Sequence, residues 1–194
     1  MLVAVSDRRR LQMPLGRWAE AVIEGGVDLI QLREKALSES ELRQIARQLL
    51  VSIESAHLQI NDHAELAHEL GCGLHLPEAA LLAGDPPRPF SRSIHGVHGI
   101  SVDEAPDFFV AGHIFETTSK PGLAARGIEW LSALTAKSPY PVVAIGGINA
   151  TNAAGVIRAG AAGVAVIGAL SGPDNPHELA ARLRAVLDQE WQQR

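Results

Sequence analysis

Residues 141–168 read PVVAIGGINATNAAGVIRAGAAGVAVIG. A short apolar run, Pro141–Ile145, ends in the pair Gly146-Gly147; a helical stretch, Thr151–Ala159, follows; a second apolar run, Ala162–Ile167, ends at Gly168. Both runs are too short for buried helices and carry no polar alternation. That is the mark of strands covered on both faces of a parallel sheet. A parallel pair needs a long crossover, and the stretch between the runs supplies a helix for it. The segment therefore reads as one strand–helix–strand unit with a glycine turn at the end of its first strand.

The same unit recurs toward the N-terminus. Leu2–Val5 ends at Ser6-Asp7, and the helix Trp18–Gly25 follows, stopped by Gly25-Gly26. Asp28–Leu32 ends in Gln31, Arg33, Glu34 and Lys35. Residues 38–41, SESE, then open a helix with capping-box chemistry and apolar spacing at Leu42, Ile45, Ala46 and Leu49. His57–Ile60 ends at Asn61-Asp62 before a short helix, Ala64–Leu70, and Leu74–Leu76 ends at Pro77-Glu78. Residues 83–89, AGDPPRP, hold too much proline for a helix, and the connection around Ser101–Ala105 that follows the run Ser91–His95 is also short. Asp107–Phe115 leads through a polar loop, Glu116–Arg126, to the helix Ile128–Ala136; the chain ends on the helix His177–Glu190. These eight strand candidates predict a single α/β domain over residues 1–194, a (β/α)8 TIM barrel with shortened or missing helices after the fourth and fifth strands. An open doubly wound sheet also alternates strand and helix, but eight units that fill the chain favour closure. With 194 residues the chain is short for a fold that typically takes about 250, which agrees with clipped helices.

Composition narrows the partners. There are 17 basic and 22 acidic residues, a formal net charge of −5, and no basic stripe, so nucleic acid is not an expected partner. No stretch nears the roughly 20 apolar residues that span a bilayer. The first apolar run is short and precedes rather than follows its charges, unlike a secretory leader, and Cys72 has no second cysteine to pair with. A cytoplasmic location and no membrane partner are expected, with a homodimer as the default assembly.

In such barrels chemistry belongs to the C-terminal strand ends, whose loops converge on one mouth. Those positions hold Gln31, Arg33 and Lys35; Asn61 and Asp62; His75 and Glu78; His95; His113 and Lys120; Gly146, Gly147 and Asn149; and Gly168. Gly146-Gly147, the helix after them (with Thr151 as its expected cap) and Gly168 form the loops that commonly cradle a phosphate in this fold. The plainer reading of the two glycines is a tight turn. Imidazoles can move protons near neutral pH, so His113 and His95 are candidate acid–base groups, while a hydrogen-bonded core histidine is the alternative for each, and for His75. His57, His63, His68, His98 and His177 fall on helices, in loops or at strand starts and read as surface residues. The three mouth histidines come one per strand, without the close pairs of a metal site, so no metal is expected. Arg33 and Lys35 either face an anion or pair with Glu34 and Glu39; Asp62 either binds at the mouth or caps the next helix.

These motifs, in order, resemble one superfamily, that of thiamine phosphate synthase and the thiazole tautomerase of thiamine biosynthesis. The matching stretches are VAVSDR (3–8), IQLREK (30–35), INDH (60–63), LHLPE (74–78), GHIFET (112–117), AIGGI (144–148) and GVAVI (163–167). The resemblance implies a small phosphorylated thiazole as substrate. Synthase members hold Mg2+ with an aspartate matching Asp62 and a second carboxylate after strand four; here that place is Ala80. Synthases also carry Gly-Pro where this chain has Gly112-His113. FETTSK (115–120), Pro77-Glu78 and Ser93–His95 look like the tautomerase branch. The resemblance thus implies an isomerase that aromatises a dihydrothiazole carboxylate phosphate by a cofactor-free proton shift. His113 and His95 would be catalytic, and Arg33, Lys35, Asn61, Lys120, Gly146, Gly147 and Gly168 would bind substrate. Mg2+-dependent thiamine phosphate synthesis is the enzymatic alternative, and a non-catalytic regulatory barrel that binds a phosphometabolite is the other.

Overall fold

The computed structural model describes residues 1–100, 104–118, 122–172 and 175–193. Eight parallel strands pair in sequence order and close into a barrel: β1 Leu2–Val5, β2 Leu29–Leu32, β3 Leu58–Asn61, β4 Gly73–Leu76, β5 Phe90–Ile94, β6 Phe108–Gly112, β7 Val142–Ile145 and β8 Gly163–Val166, with β8 returning to β1. Closure decides between the two expected topologies in favour of the TIM barrel. Among the described residues six helices sheathe it: α1 Leu15–Glu24, α2 Glu39–Leu49, α3 Ala64–Leu70, α4 Gly127–Thr135, α5 Ala153–Arg158 and α6 Pro176–Gln192.

Local chemistry starts and stops these elements. The α2 capping box is complete: the Glu41 amide donates to Ser38 Oγ at 3.4 Å, and the Ser38 amide donates to Glu41 Oε2 at 2.8 Å. Asn175 caps α6 ahead of Pro176, and α1 ends at Gly25, with Gly26 at φ +97°. α5 departs from expectation. Its flanking residue is Asn152, and Thr151 donates to Asn149 Oδ1 instead of capping the helix. The crossed pair Asn149–Asn152 closes that turn, with the Asn149 amide donating to Asn152 Oδ1 at 2.9 Å and Asn152 Nδ2 donating to Gly147 O.

No helix follows β4, and among the described residues β5 is followed by one 3-10 turn, Val97–Gly99. Residues 101–103 of the expected short connection lie outside the described residues. Where a helix would sit outside β5, Arg92 fills the gap. It is 3% exposed, donates through Nη1 to the carbonyls of Pro77 (2.9 Å), Glu78 (3.3 Å) and Ala80 (2.7 Å), and pairs through Nη2 with Glu104 at 2.8 Å.

The core has two shells. Outward side chains of the strands pack with the helices around Trp18, Ile30, Leu32, Ile60, Leu74 and Phe109. Inside the barrel, Val3, Val5, Leu29, Phe108, Val110, Val143 and Ala165 form a second cluster. The inward positions of β3, β4 and β5 are polar instead. Gln59, His75 and Ser91 are buried there and bonded in a chain. The barrel interior is therefore apolar on one side and wired with hydrogen bonds on the other.

Candidate active site

The mouth takes shape where β6 and β7 end. Gly112 pairs in register with Ile145, so the residues after each strand meet. The amides of Ile114 and Phe115 donate to Ile145 O and Gly146 O, both at 3.0 Å. Gly146 and Gly147 have φ of +106° and +67°, and a methyl on Gly146 would come within 2.4 Å of the His113 Cβ. A side chain on Gly147 would meet Glu116 O and the Phe115 Cβ. Both glycines are thus required by backbone conformation and by contact with the loop after β6. They also bring His113 directly against the glycine turn.

His113 is 8% exposed. Its Nε2 lies 2.9 Å from Ala124 O and 3.2 Å from Leu123 O. Carbonyl oxygens only accept, so Nε2 carries the hydrogen, and Nδ1 is the nitrogen left to take a proton. The loop over residues 122–126 returns onto the same residue, since the Arg126 amide donates to His113 O at 3.1 Å.

His95 follows β5, two positions beyond the inward-facing Ser93 and four beyond Ser91. Its partner is Glu78 in the loop after β4. The His95 amide donates to Glu78 Oε1 at 3.0 Å, and Nδ1 lies 2.5 Å from Oε2. Burial works to raise the Glu78 carboxyl, but the His95 amide and imidazole, with Arg126 nearby, outweigh it and hold it below the usual carboxylate range. His75 sits deeper. Its Nδ1 meets Ser91 Oγ at 2.8 Å and its Nε2 meets Ser93 Oγ at 2.9 Å. Ser91 donates to Gln59 Oε1, so it accepts from His75 and places the imidazole hydrogen on Nδ1. Burial, helped by the charges of Arg33 and Arg92, pushes the His75 pKa down to about 3. His75 is a neutral structural histidine, the plainer of its two readings.

The other strand-end residues separate clearly. Arg33 takes the inward parity of Leu29 and Gln31 on β2 and is half-buried. Burial lowers its pKa while Asp7 and Glu34 oppose that. Neither expected partner pairs with it: Glu34 accepts from Ser6 Oγ and the Arg8 amide, and Glu39 pairs with Arg43. Lys35 is exposed; Asn61 is half-buried at the end of β3; Lys120 lies outside the described residues. Asp62 does not cap α3, whose flanking residue is His63. Gly168 opens a 3-10 turn, Gly168–Leu170, beside the glycine pair, because β7 and β8 are neighbours; Trp18 Nε1 donates to Leu170 O at 2.7 Å and anchors it.

Sequence reading passed over two features. Arg10, in the 3-10 turn Arg8–Arg10 after β1, donates through Nη1 to Thr118 Oγ1 at 3.1 Å, and the same atom would lie 3.7 Å from a Cβ on Gly168. It is a cation placed beside Gly168, and its Nε pairs with Asp7 at 3.1 Å. Three consecutive arginines signal only a charged turn, so nothing in the sequence separates Arg10 from its neighbours. The hydrogen bond between Glu78 and His95 spans 17 residues and has no local motif.

The Mg2+ implied for synthase members finds a poor donor set. Asp62 is exposed with φ +66°, position 80 is alanine, and both Glu78 oxygens are engaged by His95. Among the described residues no three His, Cys, Asp or Glu side chains converge as metal ligands. These residues do not fit a two-carboxylate magnesium site.

Known proteins resemble this chain in sequence and, for a solved structure, in architecture. It is 34% identical over 208 residues to a thiamine-phosphate synthase of Mycolicibacterium smegmatis, covering 96% of this chain and 91% of that one. It is 38% identical over 182 residues to a thiamine-phosphate synthase of Moorella thermoacetica, covering 85% and 84%. A thiamine phosphate pyrophosphorylase structure from Pyrococcus furiosus superimposes with a TM-score of 0.85 at 26% identity, over 97% of this chain and 96% of that one. The family model described as thiamine monophosphate synthase matches residues 2–170, from the first strand through the turn after the eighth. A closed eight-stranded barrel, a glycine turn set against the β6 loop and this run of matched residues lead to one conclusion: the chain belongs to the thiamine monophosphate synthase family.

Proposed function

We propose that this family member is an isomerase of the tautomerase branch. It would convert a dihydrothiazole carboxylate phosphate into the aromatic thiazole carboxylate phosphate without a metal. The observation that carries this reading is His113, an imidazole with its Nε2 hydrogen committed to two carbonyls and set against the glycine turn, at the position where the resemblance noted above implies a proline for synthase members. In the reaction the ring C2–H bond breaks and its electron pair enters the ring. The exocyclic double bond at C5 takes up a proton on its outer carbon. A positioned proton acceptor suits that exchange, and His113 Nδ1 has no hydrogen-bond partner among the described residues.

The phosphate is assigned to the Gly146-Gly147 and Gly168 loops with Arg10 as counter-charge, and the ring carboxylate to Arg33, whose guanidinium has no ion-pair partner among the described residues. Asn61 lies at the same rim. Lys35 is further out, and Lys120 keeps its proposed role from sequence alone. A homodimer in the cytoplasm remains the expected setting; among the described residues no helix is long and apolar enough to cross a membrane.

The second reading is the transferase, and the names of the relatives favour it, since those above are thiamine-phosphate synthases or pyrophosphorylases. One pair of assays separates the two. The purified chain is given the dihydrothiazole carboxylate phosphate and, separately, the pyrimidine pyrophosphate with thiazole phosphate and Mg2+. Aromatisation in the first and no thiamine phosphate in the second is the expected result. The reverse would replace the isomerase by the synthase.

A further inference from the structure

Each of the two mouth histidines has one ring nitrogen tied down, and the tied nitrogens differ. His113 commits Nε2, as hydrogen-bond donor, to the Leu123 and Ala124 carbonyls. His95 commits Nδ1 to an ionised carboxylate, Glu78 Oε2, so Nδ1 holds the hydrogen, and Nε2 has no hydrogen-bond partner among the described residues. Several independent features build the Glu78 position. Its second oxygen takes the His95 amide at 3.0 Å. The loop around it is pinned by Arg92 through the carbonyls of Pro77, Glu78 and Ala80. Gly99 leaves the carboxylate its space, since a side chain there would overlap Glu78 Oε1. Arg92 thus fixes the backbone of the loop that carries Glu78, and Gly99 leaves room for the carboxylate, so this is not a contact between two freely moving rim side chains.

We propose that Glu78 is a positioning residue that fixes His95 as the Nδ1–H tautomer and so presents His95 Nε2 as a second proton-transfer atom beside His113 Nδ1. The assignment rests on the isomerase reading. The two proton movements are then divided: one imidazole takes the proton from C2, and the other delivers a proton to the exocyclic carbon. Two separate carriers also mean that the proton removed is not the proton returned. The strands place the two residues as neighbours, since Ile94 of β5 pairs with Ala111 of β6. His95 follows the one directly, and His113 lies one residue past the end of the other.

The test combines a spectroscopic arm with a kinetic arm. In histidine-labelled protein, long-range 15N–1H spectra should show neutral His95 in the Nδ1–H form, and Glu78→Gln should move it toward Nε2–H while the His113 signals stay. Glu78→Gln and His95→Ala should each lower kcat by roughly 10–100-fold with KM nearly unchanged, and the double variant should be no worse than His95→Ala. Substrate deuterated at C2 should give product free of the label at the exocyclic carbon in ordinary water. An Nε2–H tautomer in the unsubstituted protein, or full kcat in Glu78→Gln, would overturn the assignment. An unsubstituted chain that shows the Nδ1–H form but turns over no dihydrothiazole refutes the isomerase reading and leaves Glu78 as the residue that orients His95.

Discussion

Two residues at the mouth carry opposite kinds of information, one chemical and one steric. His113 is required for its nitrogen. If Nδ1 is the base, His113→Ala removes general acid–base catalysis, worth roughly 10²–10⁴-fold. The variant should keep its unfolding midpoint and its affinity for thiazole phosphate, measured by calorimetry; turnover within a few-fold of the unsubstituted chain would take His113 out of the chemistry. Gly146 is required for the absence of a side chain. At φ +106°, with the His113 Cβ where a methyl would lie, Gly146→Ala combines an unfavourable backbone region with a clash. Urea unfolding should show a loss of about 2–4 kcal/mol, together with lower turnover because His113 must move. A fully stable and active Gly146→Ala would show that the glycine merely makes a turn.

Among the elements, the apolar half of the barrel and the polar half behave differently with pH, and they were legible to different degrees. His75, on β4, is neutral in the folded protein with a pKa near 3, against 6.5 for an ordinary histidine. Between those two values the unfolded chain binds a proton that the native chain does not. Stability is therefore unaffected by this group above about pH 7 and falls as pH drops from about 6.5 toward 3, by at most about 1.4 kcal/mol per unit. His75→Gln should flatten the stability–pH curve across that window, read as the difference between the two proteins; parallel curves would mean that His75 is protonated or solvated when folded. Strands such as β7 and β8, continuous apolar runs ended by glycine, were readable because burial on both faces leaves one composition. β5 was placed within one residue at each end, but its alternation of Ser91, Arg92 and Ser93 hid two environments. The serines face the interior chain to His75, and the arginine is buried outside, in place of a helix. Sequence periodicity cannot separate a buried arginine bonded to backbone carbonyls from a solvated one. It also could not find the pairing of Glu78 with His95, or the crossed asparagines that displace Thr151 as the cap of α5, because those bonds depend on where loops return in space.

At the scale of the whole barrel, the ring of strands fixes which loops share a mouth, and that makes ligand preference a property of the entire fold. The loops after β7, β8 and β1 gather Gly146, Gly147, Gly168 and Arg10 on one side; those after β2, β3 and β4 gather Arg33, Asn61 and Glu78 on the other. The first side suits one phosphate. Among the described residues the second offers the Arg33 guanidinium without an ion pair and no cluster of three metal-ligating side chains, and under the proposed reading it takes the substrate carboxylate. A ligand that binds only the folded state stabilises it by RT ln(1 + [L]/Kd), about 2.7 kcal/mol at a hundredfold excess over Kd. For a domain of this size that is a rise in Tm of roughly 5–10 °C. Thiazole carboxylate phosphate should produce such a rise in a thermal melt, and Arg10→Ala and Arg33→Ala should each reduce it without lowering the ligand-free midpoint much, since neither is buried in the core. Pyrimidine pyrophosphate with Mg2+ should leave the melt unchanged. A rise with the pyrophosphate that requires Mg2+ would mean that the β2–β4 side assembles a metal site on binding, and the assignment of Arg33 to a carboxylate would fall with it.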